Sequence, residues 1–159
     1  MNIHLLTVGN LKEGYLRDAQ KEYLKRLSRF CRFQVAEVQE EKADEKGSEA
    51  LDEQVRKKEG ERLIKALPKN AYTIAMTIDG ESPDSEHFAN KLDKLMLDGK
   101  SDIAFIIGGS TGLSREIEKN ANLKLSLSKM TFPHQLARII LLEQIYRAFK
   151  IIRGETYHK

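Results

Sequence analysis

The chain of 159 residues predicts an α/β fold: a largely parallel sheet with helices on both faces, in one domain spanning 1–159. Three observations predict it. Short apolar runs of strand length alternate with longer stretches carrying helical apolar spacing. Glycine, proline and Asp-Gly punctuation falls between them. Hydrophobic residues make up 40% of the chain, enough to fill one core without staples.

In chain order, Ile3–Val8 is an apolar strand closed by Gly9. Leu16, Ala19, Tyr23, Leu24 and Leu27 repeat at helical spacing and predict a helix over Tyr15–Phe30. Phe33, Val35 and Val38 predict a second strand, and Gln39–Gly47 a charged, mobile loop. Ser48–Leu67 is a helix stopped by Pro68. Tyr72–Ile78 is a third strand, ended by the Asp79-Gly80 turn pair. Ser82 is placed to cap the next helix, with Pro83 at its first position, Leu97 at its end and Gly99 just beyond. Asp102–Ile107 is a fourth strand that runs into Gly108, Gly109, Ser110, Thr111 and Gly112. Ser114 caps a short helix to about Asn120, Leu123–Met130 is a fifth strand, and Pro133–Ile152 is the longest helix. Ligands of such sheets sit beyond the carboxyl ends of the strands, so Met76–Gly80, Gly108–Gly112 and Leu127–Phe132 fall along one expected rim.

Charge narrows the partners. The net charge of +3 conceals two basic stretches, +5 over 124–159 and +4 over 11–33, against −5 over 37–61. If the basic stretches share a face, that face attracts a polyanion; otherwise they are ordinary solvated helices. Cys31 is the only cysteine, which excludes an intrachain disulfide and a multi-cysteine zinc site. His4, His87, His134 and His158 lack ligand spacing, so no metal is expected. No membrane span or signal peptide is expected, which leaves a soluble cytoplasmic protein.

Several constellations carry chemistry. The glycine turn at 108–112 is either a tight strand-to-helix connection or a backbone cradle for a ligand. It matches neither the dinucleotide fingerprint nor a phosphate loop, which needs a following lysine. Met130 and Phe132 are either core plugs or the two sides of a flat heterocycle. Glu143 and Arg147 form an i, i+4 pair, with Arg147 and Arg153 also candidates to face phosphate. A hydrolase elbow is absent. The last residues, Tyr157, His158 and Lys159, are either a frayed end or a stacking ring, a proton carrier and a phosphate partner.

Taken together, Val8–Lys12, Lys58–Arg62, Phe105–Ser110 with Gly112 and Leu113, Leu127–Gln135, Glu143–Phe149 and Gly154–Lys159 resemble the ribosomal RNA large-subunit methyltransferase H (RlmH) family. These are small SPOUT methyltransferases, and the resemblance runs the length of the chain. It implies a C-terminal trefoil knot, which periodicity could not reveal because chain connections are normally unknotted. It implies a homodimer whose knot region forms both cofactor pocket and dimer contact. The cofactor would be S-adenosylmethionine. The substrate would be a pseudouridine in a stem-loop of 23S rRNA within the ribosome, methylated at N3. Carried over by position, the cofactor contacts are Met76, Gly108, Leu127, Ser128, Lys129, Met130, Thr131 and Phe132. Met76 departs mildly from the family's branched aliphatic residue. Tyr157 and His158, from either protomer, are expected to handle the base and its proton, with Arg147, Arg153 and Lys159 on RNA phosphate. A non-catalytic RNA-binding or ribosome-associated module of the same fold is the alternative.

Overall fold

The computed structural model describes residues 1–159. Its elements are β1 (Asn2–Val8), α1 (Gly14–Leu27), β2 (Arg32–Val38), α2 (Glu49–Ala66), β3 (Tyr72–Glu81), α3 (Ser85–Leu97), β4 (Asp102–Ile107), α4 (Arg115–Asn120), β5 (Leu123–Leu125) and α5 (His134–Ile152). The sheet has five strands in the order β2-β1-β4-β3-β5, and every pairing is parallel.

Strand alternation decides which residues meet which helices. On β4, Ile103, Phe105 and Ile107 enter the larger core with Phe88 and Leu92 of α3 and Leu141, Ile145 and Phe149 of α5. Ala104 and Ile106 enter the other core, with Leu63 of α2 and Ile117 of α4. So α1, α3 and α5 cover one face while α2 and α4 cover the other. Both faces of β4 are dry, as its unbroken apolar run requires. No helix is long and apolar enough to cross a membrane.

Three boundaries differ from the sequence expectation. The fifth strand stops at Leu125 rather than Met130. Ser126 donates its hydroxyl to the Ser128 carbonyl (2.8 Å), and the Ser128 hydroxyl accepts from the Met130 amide (3.0 Å). These local bonds replace ladder bonds and turn the chain into a loop. The third strand does not end at Asp79-Gly80. Met76 and Glu81 both pair with Leu125, so the residues between them bulge out and the chain rejoins the sheet. Gly80 is pressed against β5, where a Cβ would lie 2.6 Å from the Leu125 amide nitrogen. Finally, α3 begins at Ser85 and is capped by Asp84, whose carboxylate accepts from the His87 amide (2.8 Å), not by Ser82.

Helix α5 is anchored by Arg138, the largest fully buried side chain, 1% exposed. It donates to Glu37 Oε2 (2.7 Å) and to the Gly9 carbonyl (3.1 Å). The start of α5 is thereby tied to the carboxyl ends of β1 and β2.

Candidate active site

The carboxyl ends of β3, β4 and β5 enclose a cavity with about 650 Å³ of empty space. Met76, Gly108, Leu127, Ser128, Met130, Thr131 and Phe132 all line it. Among the expected cofactor contacts, Lys129 is the one outside the lining, and it is exposed. The lining is mainly apolar and includes no carboxylate, with serine and threonine hydroxyls, the His134 imidazole and loop backbone as its polar groups. That composition suits a flat heterocycle held by its edge.

The glycine turn gives the cavity its floor. A Cβ on Gly108 would lie 2.5 Å from the Gly112 carbonyl carbon, so the turn can only close around glycine. Gly112 has φ +88, a left-handed conformation natural to glycine. Behind the turn lies Glu59 of α2, 3% exposed. Its Oε2 accepts from the Glu41 amide (3.0 Å), while Oε1 is buried without a partner. Burial pushes this carboxyl above its ordinary range.

His134, at the start of α5, also lines the cavity. Burial pushes its pKa down, and the Arg138 and Lys12 cations act in the same direction against Glu40. The balance favours the neutral imidazole. The sequence weighed His134 by itself only as a rejected metal ligand, and held no sign of Glu59 as a buried charge. A charged residue within an otherwise apolar helical face was the available signal for Arg138.

The last residues are ordered against α5 and do not line this cavity. The ring of Tyr157 packs edge-on to Tyr146, with centroids 5.0 Å apart, and its hydroxyl donates to Glu143 Oε2 (3.1 Å). Burial first, then the Glu143 charge, push the phenol pKa up, so Tyr157 keeps its proton. His158 Nδ1 lies 3.2 Å from an Arg147 guanidinium nitrogen. A guanidinium only donates, so Nδ1 must be the acceptor. His158 Nε2 stands 3.7 Å from Glu86 of α3. Arg147 is engaged by Glu143 at 2.6 Å, whereas Arg153 and Lys159 are exposed and form no ion pair.

The two basic stretches do share an end of the molecule. Arg29, just beyond α1, pairs with Glu155 (3.1 Å). Arg153 lies over the Phe30 ring at 4.9 Å and Arg26 over Tyr146 at 5.7 Å. No group of three His, Cys, Asp or Glu residues is arranged to hold a metal ion.

Comparison with known proteins fits this geometry. A family model described as "Predicted SPOUT methyltransferase" matches residues 1–158. The chain belongs to the SPOUT methyltransferase family. Among its relatives, the ribosomal RNA large subunit methyltransferases H of Clostridium kluyveri and Listeria monocytogenes are 53% and 52% identical to this SPOUT methyltransferase. The corresponding protein of Bifidobacterium adolescentis is 54% identical. All three align over 100% of both chains. Among solved structures, the tRNA (m1G37) methyltransferase of Aquifex aeolicus superposes with a TM-score of 0.53 at 12% identity, covering 92% of this chain and 70% of that one. This likeness carries the fold alone.

Proposed function

We propose that this SPOUT methyltransferase transfers a methyl group from S-adenosylmethionine to N3 of a pseudouridine in a 23S rRNA stem-loop, acting on the ribosome in the cytoplasm as a homodimer. The full-length identity to large-subunit rRNA methyltransferases carries the reading. The cavity at the three strand ends, lined by Met76, Gly108 and the 127–132 loop, supports it. The donor supplies an electrophilic methyl on a sulfonium, and its sulfur leaves as a neutral thioether.

The chain's own residues position and deprotonate. Leu127, Met130 and Phe132 would flank the adenine ring, and loop backbone would read its edge. Reaction in line then follows from placement, which supplies much of the rate. The N3–H of the base must lose its proton as the N–C bond forms. Tyr157 stays protonated and serves as a stacking ring and donor. His158 takes the N3 proton at Nδ1 once Arg147 turns from it to a phosphate of the substrate. Arg147, Arg153 and Lys159 hold phosphate. We infer the trefoil knot as well: β5 lies at the sheet edge while α5 packs between α1 and α3, so the 126–133 segment must cross the strand ends to reach it.

Two measurements test the proposal. Calorimetry on the purified protein should show S-adenosylmethionine binding; a pure RNA-binding module would show none. Deleting Glu155–Lys159 should leave that affinity largely intact and abolish methylation of ribosomes. Normal turnover by the truncation would remove Tyr157 and His158 from the mechanism.

A further inference from the structure

Beside the first cavity lies a second, with about 750 Å³ of empty space, between the start of α3 and the middle of α5. The two share Leu125, Ser126, Leu127 and Phe132 as a common wall. Phe88 and Leu141 give the second cavity apolar surface, and its polar side chains are Asp84, Ser85, Ser126 and Gln144. The Ser85 hydroxyl donates to the side-chain oxygen of Gln144 (2.7 Å). The amide nitrogen of Gln144 donates to no protein group, and the Ser85 oxygen still has a lone pair free.

We propose that this second cavity receives the acceptor base, with Ser85 and Gln144 reading one edge of its ring. The inference rests on the proposed function, which places the methyl donor in the first cavity. Reacting atoms in a displacement must approach within about 3–3.5 Å, so an acceptor site has to open onto the donor site. The two cavities adjoin at Leu125, Ser126, Leu127 and Phe132, and they must join there for the base to reach the donor. The chemistry of the edge also matches. A pseudouridine presents an N1–H donor beside the C2 carbonyl, and its N3 comes next around the ring. The Ser85 oxygen accepts from N1–H, and the Gln144 amide donates to the carbonyl, leaving N3 directed away from both. Uridine has no N1–H, because its N1 carries the ribose, so Ser85 favours the isomer. A polar site built for a donor rejects the analogue that lacks it.

Arg147 follows Gln144 by one turn on α5, and Glu86 follows Ser85 on α3. His158 touches Arg147 at 3.2 Å and approaches Glu86 at 3.7 Å. The imidazole therefore contacts the residues that follow Ser85 and Gln144 on their helices, and it belongs to the lining of neither cavity. The arrangement accounts for a cofactor cavity without a titratable residue of the tail.

The test uses the full-length protein with Ser85→Ala and Gln144→Leu. Ribosomes carrying either pseudouridine or uridine at the target position are the substrates. The expected result is a fall of about tenfold or more in kcat/KM on pseudouridine ribosomes. The S-adenosylmethionine Kd should stay within about twofold, and Ser85→Ala should narrow the preference for pseudouridine over uridine. Ile140→Phe, which narrows the cavity from α5, should reproduce the loss of turnover with donor affinity kept. Unchanged kcat/KM in the Ser85 and Gln144 variants overturns the proposal. So does a donor affinity that falls in step with turnover, because the second cavity would then be part of the donor site. Failure of the wild-type protein to bind S-adenosylmethionine would instead defeat the underlying reading, and calorimetry on that protein reports it separately.

Discussion

Tyr157 donates to Glu143 across 3.1 Å, and through this bond the last residues of the chain are fastened to the middle of α5. The other oxygen of the same carboxylate accepts from Arg147 Nε at 2.8 Å, and Arg147 in turn lies 4.6 Å from the Tyr157 ring centroid. One carboxylate thus organises the phenol, the guanidinium and, through Arg147, the imidazole of His158. Glu155 adds a second fastening, accepting from Lys150 at 2.6 Å and pairing with Arg29.

Glu143→Ala should therefore release the tail. The two charge-assisted bonds predict a loss of about 1–3 kcal/mol, read as a lowered melting temperature. Carboxypeptidase should then remove Tyr157 faster than in the wild type, while methylation falls and S-adenosylmethionine affinity does not. Glu143→Gln keeps an acceptor for the phenol and should show an intermediate phenotype. A tail equally protected in all three proteins would show that Glu143 does not hold it.

Gly108→Ala and Gly112→Ala separate shape from strain. A Cβ at Gly108 meets Gly112 backbone at 2.5 Å, so the turn must open at a cost of about 1–3 kcal/mol, with the cofactor cavity deformed. A Cβ at Gly112 meets nothing within 4 Å but sits at φ +88, a strain of about 1–2 kcal/mol without loss of cavity shape. Both variants should melt lower, and only the first should lose S-adenosylmethionine affinity strongly. Equal losses of affinity would mean that the floor of the cavity does not depend on the Gly108 contact.

Much of this arrangement was legible in the sequence, because apolar alternation and glycine punctuation are local signals. They located five strands and, at their carboxyl ends, the rim over Met76–Gly80, Gly108–Gly112 and Leu127–Phe132. What failed was also local. The Ser126 and Ser128 side chains compete with the ladder, and Asp84 outcompetes Ser82 as a cap because its carboxylate reaches the His87 amide. Non-local facts were beyond periodicity. Arg138 meets Glu37 and Gly9 only when α5 crosses the ends of β1 and β2. The shared end of the two basic stretches likewise depends on α1 packing beside α5. The ordered tail was left open between fraying and function, since its partner Glu143 looks like half of a surface pair until the chain doubles back.

The buried carboxyl of Glu59 should leave a pH signature. Its folded pKa is raised from 4.5 chiefly by burial. The folded state therefore favours the neutral acid, whose stability contribution is present at low pH and is lost as pH rises through the raised pKa. Glu59→Gln retains an acceptor for the Glu41 amide but cannot ionise. The stability of the variant relative to wild type should thus climb as pH rises from about 4.5 towards neutrality, by at most roughly 1.4 kcal/mol for each pH unit. Melting temperatures of the two proteins across this window read the difference. A difference that is flat over the window would mean that Glu59 ionises without penalty.

Salt dependence tests how the basic end meets RNA. Arg153 is exposed, forms no ion pair and is stacked 4.9 Å over Phe30, so its charge is available to a phosphate. Arg29 is already paired with Glu155 and is less available. Binding of a cation to phosphate releases counterions, and each such contact adds roughly 0.7–0.9 to the slope of log K against log salt. Arg153→Ala should reduce the slope for ribosome binding by about that amount and weaken binding most at low salt. Arg29→Ala should change the slope less, because it frees Glu155 as it removes a cation. Ribosomes should also outperform an isolated stem-loop as substrate, since a chain this small can contact few phosphates on naked RNA and relies on the shape of the folded target. An unchanged slope in Arg153→Ala would place the RNA on another face of the molecule, away from the shared end of α1 and α5.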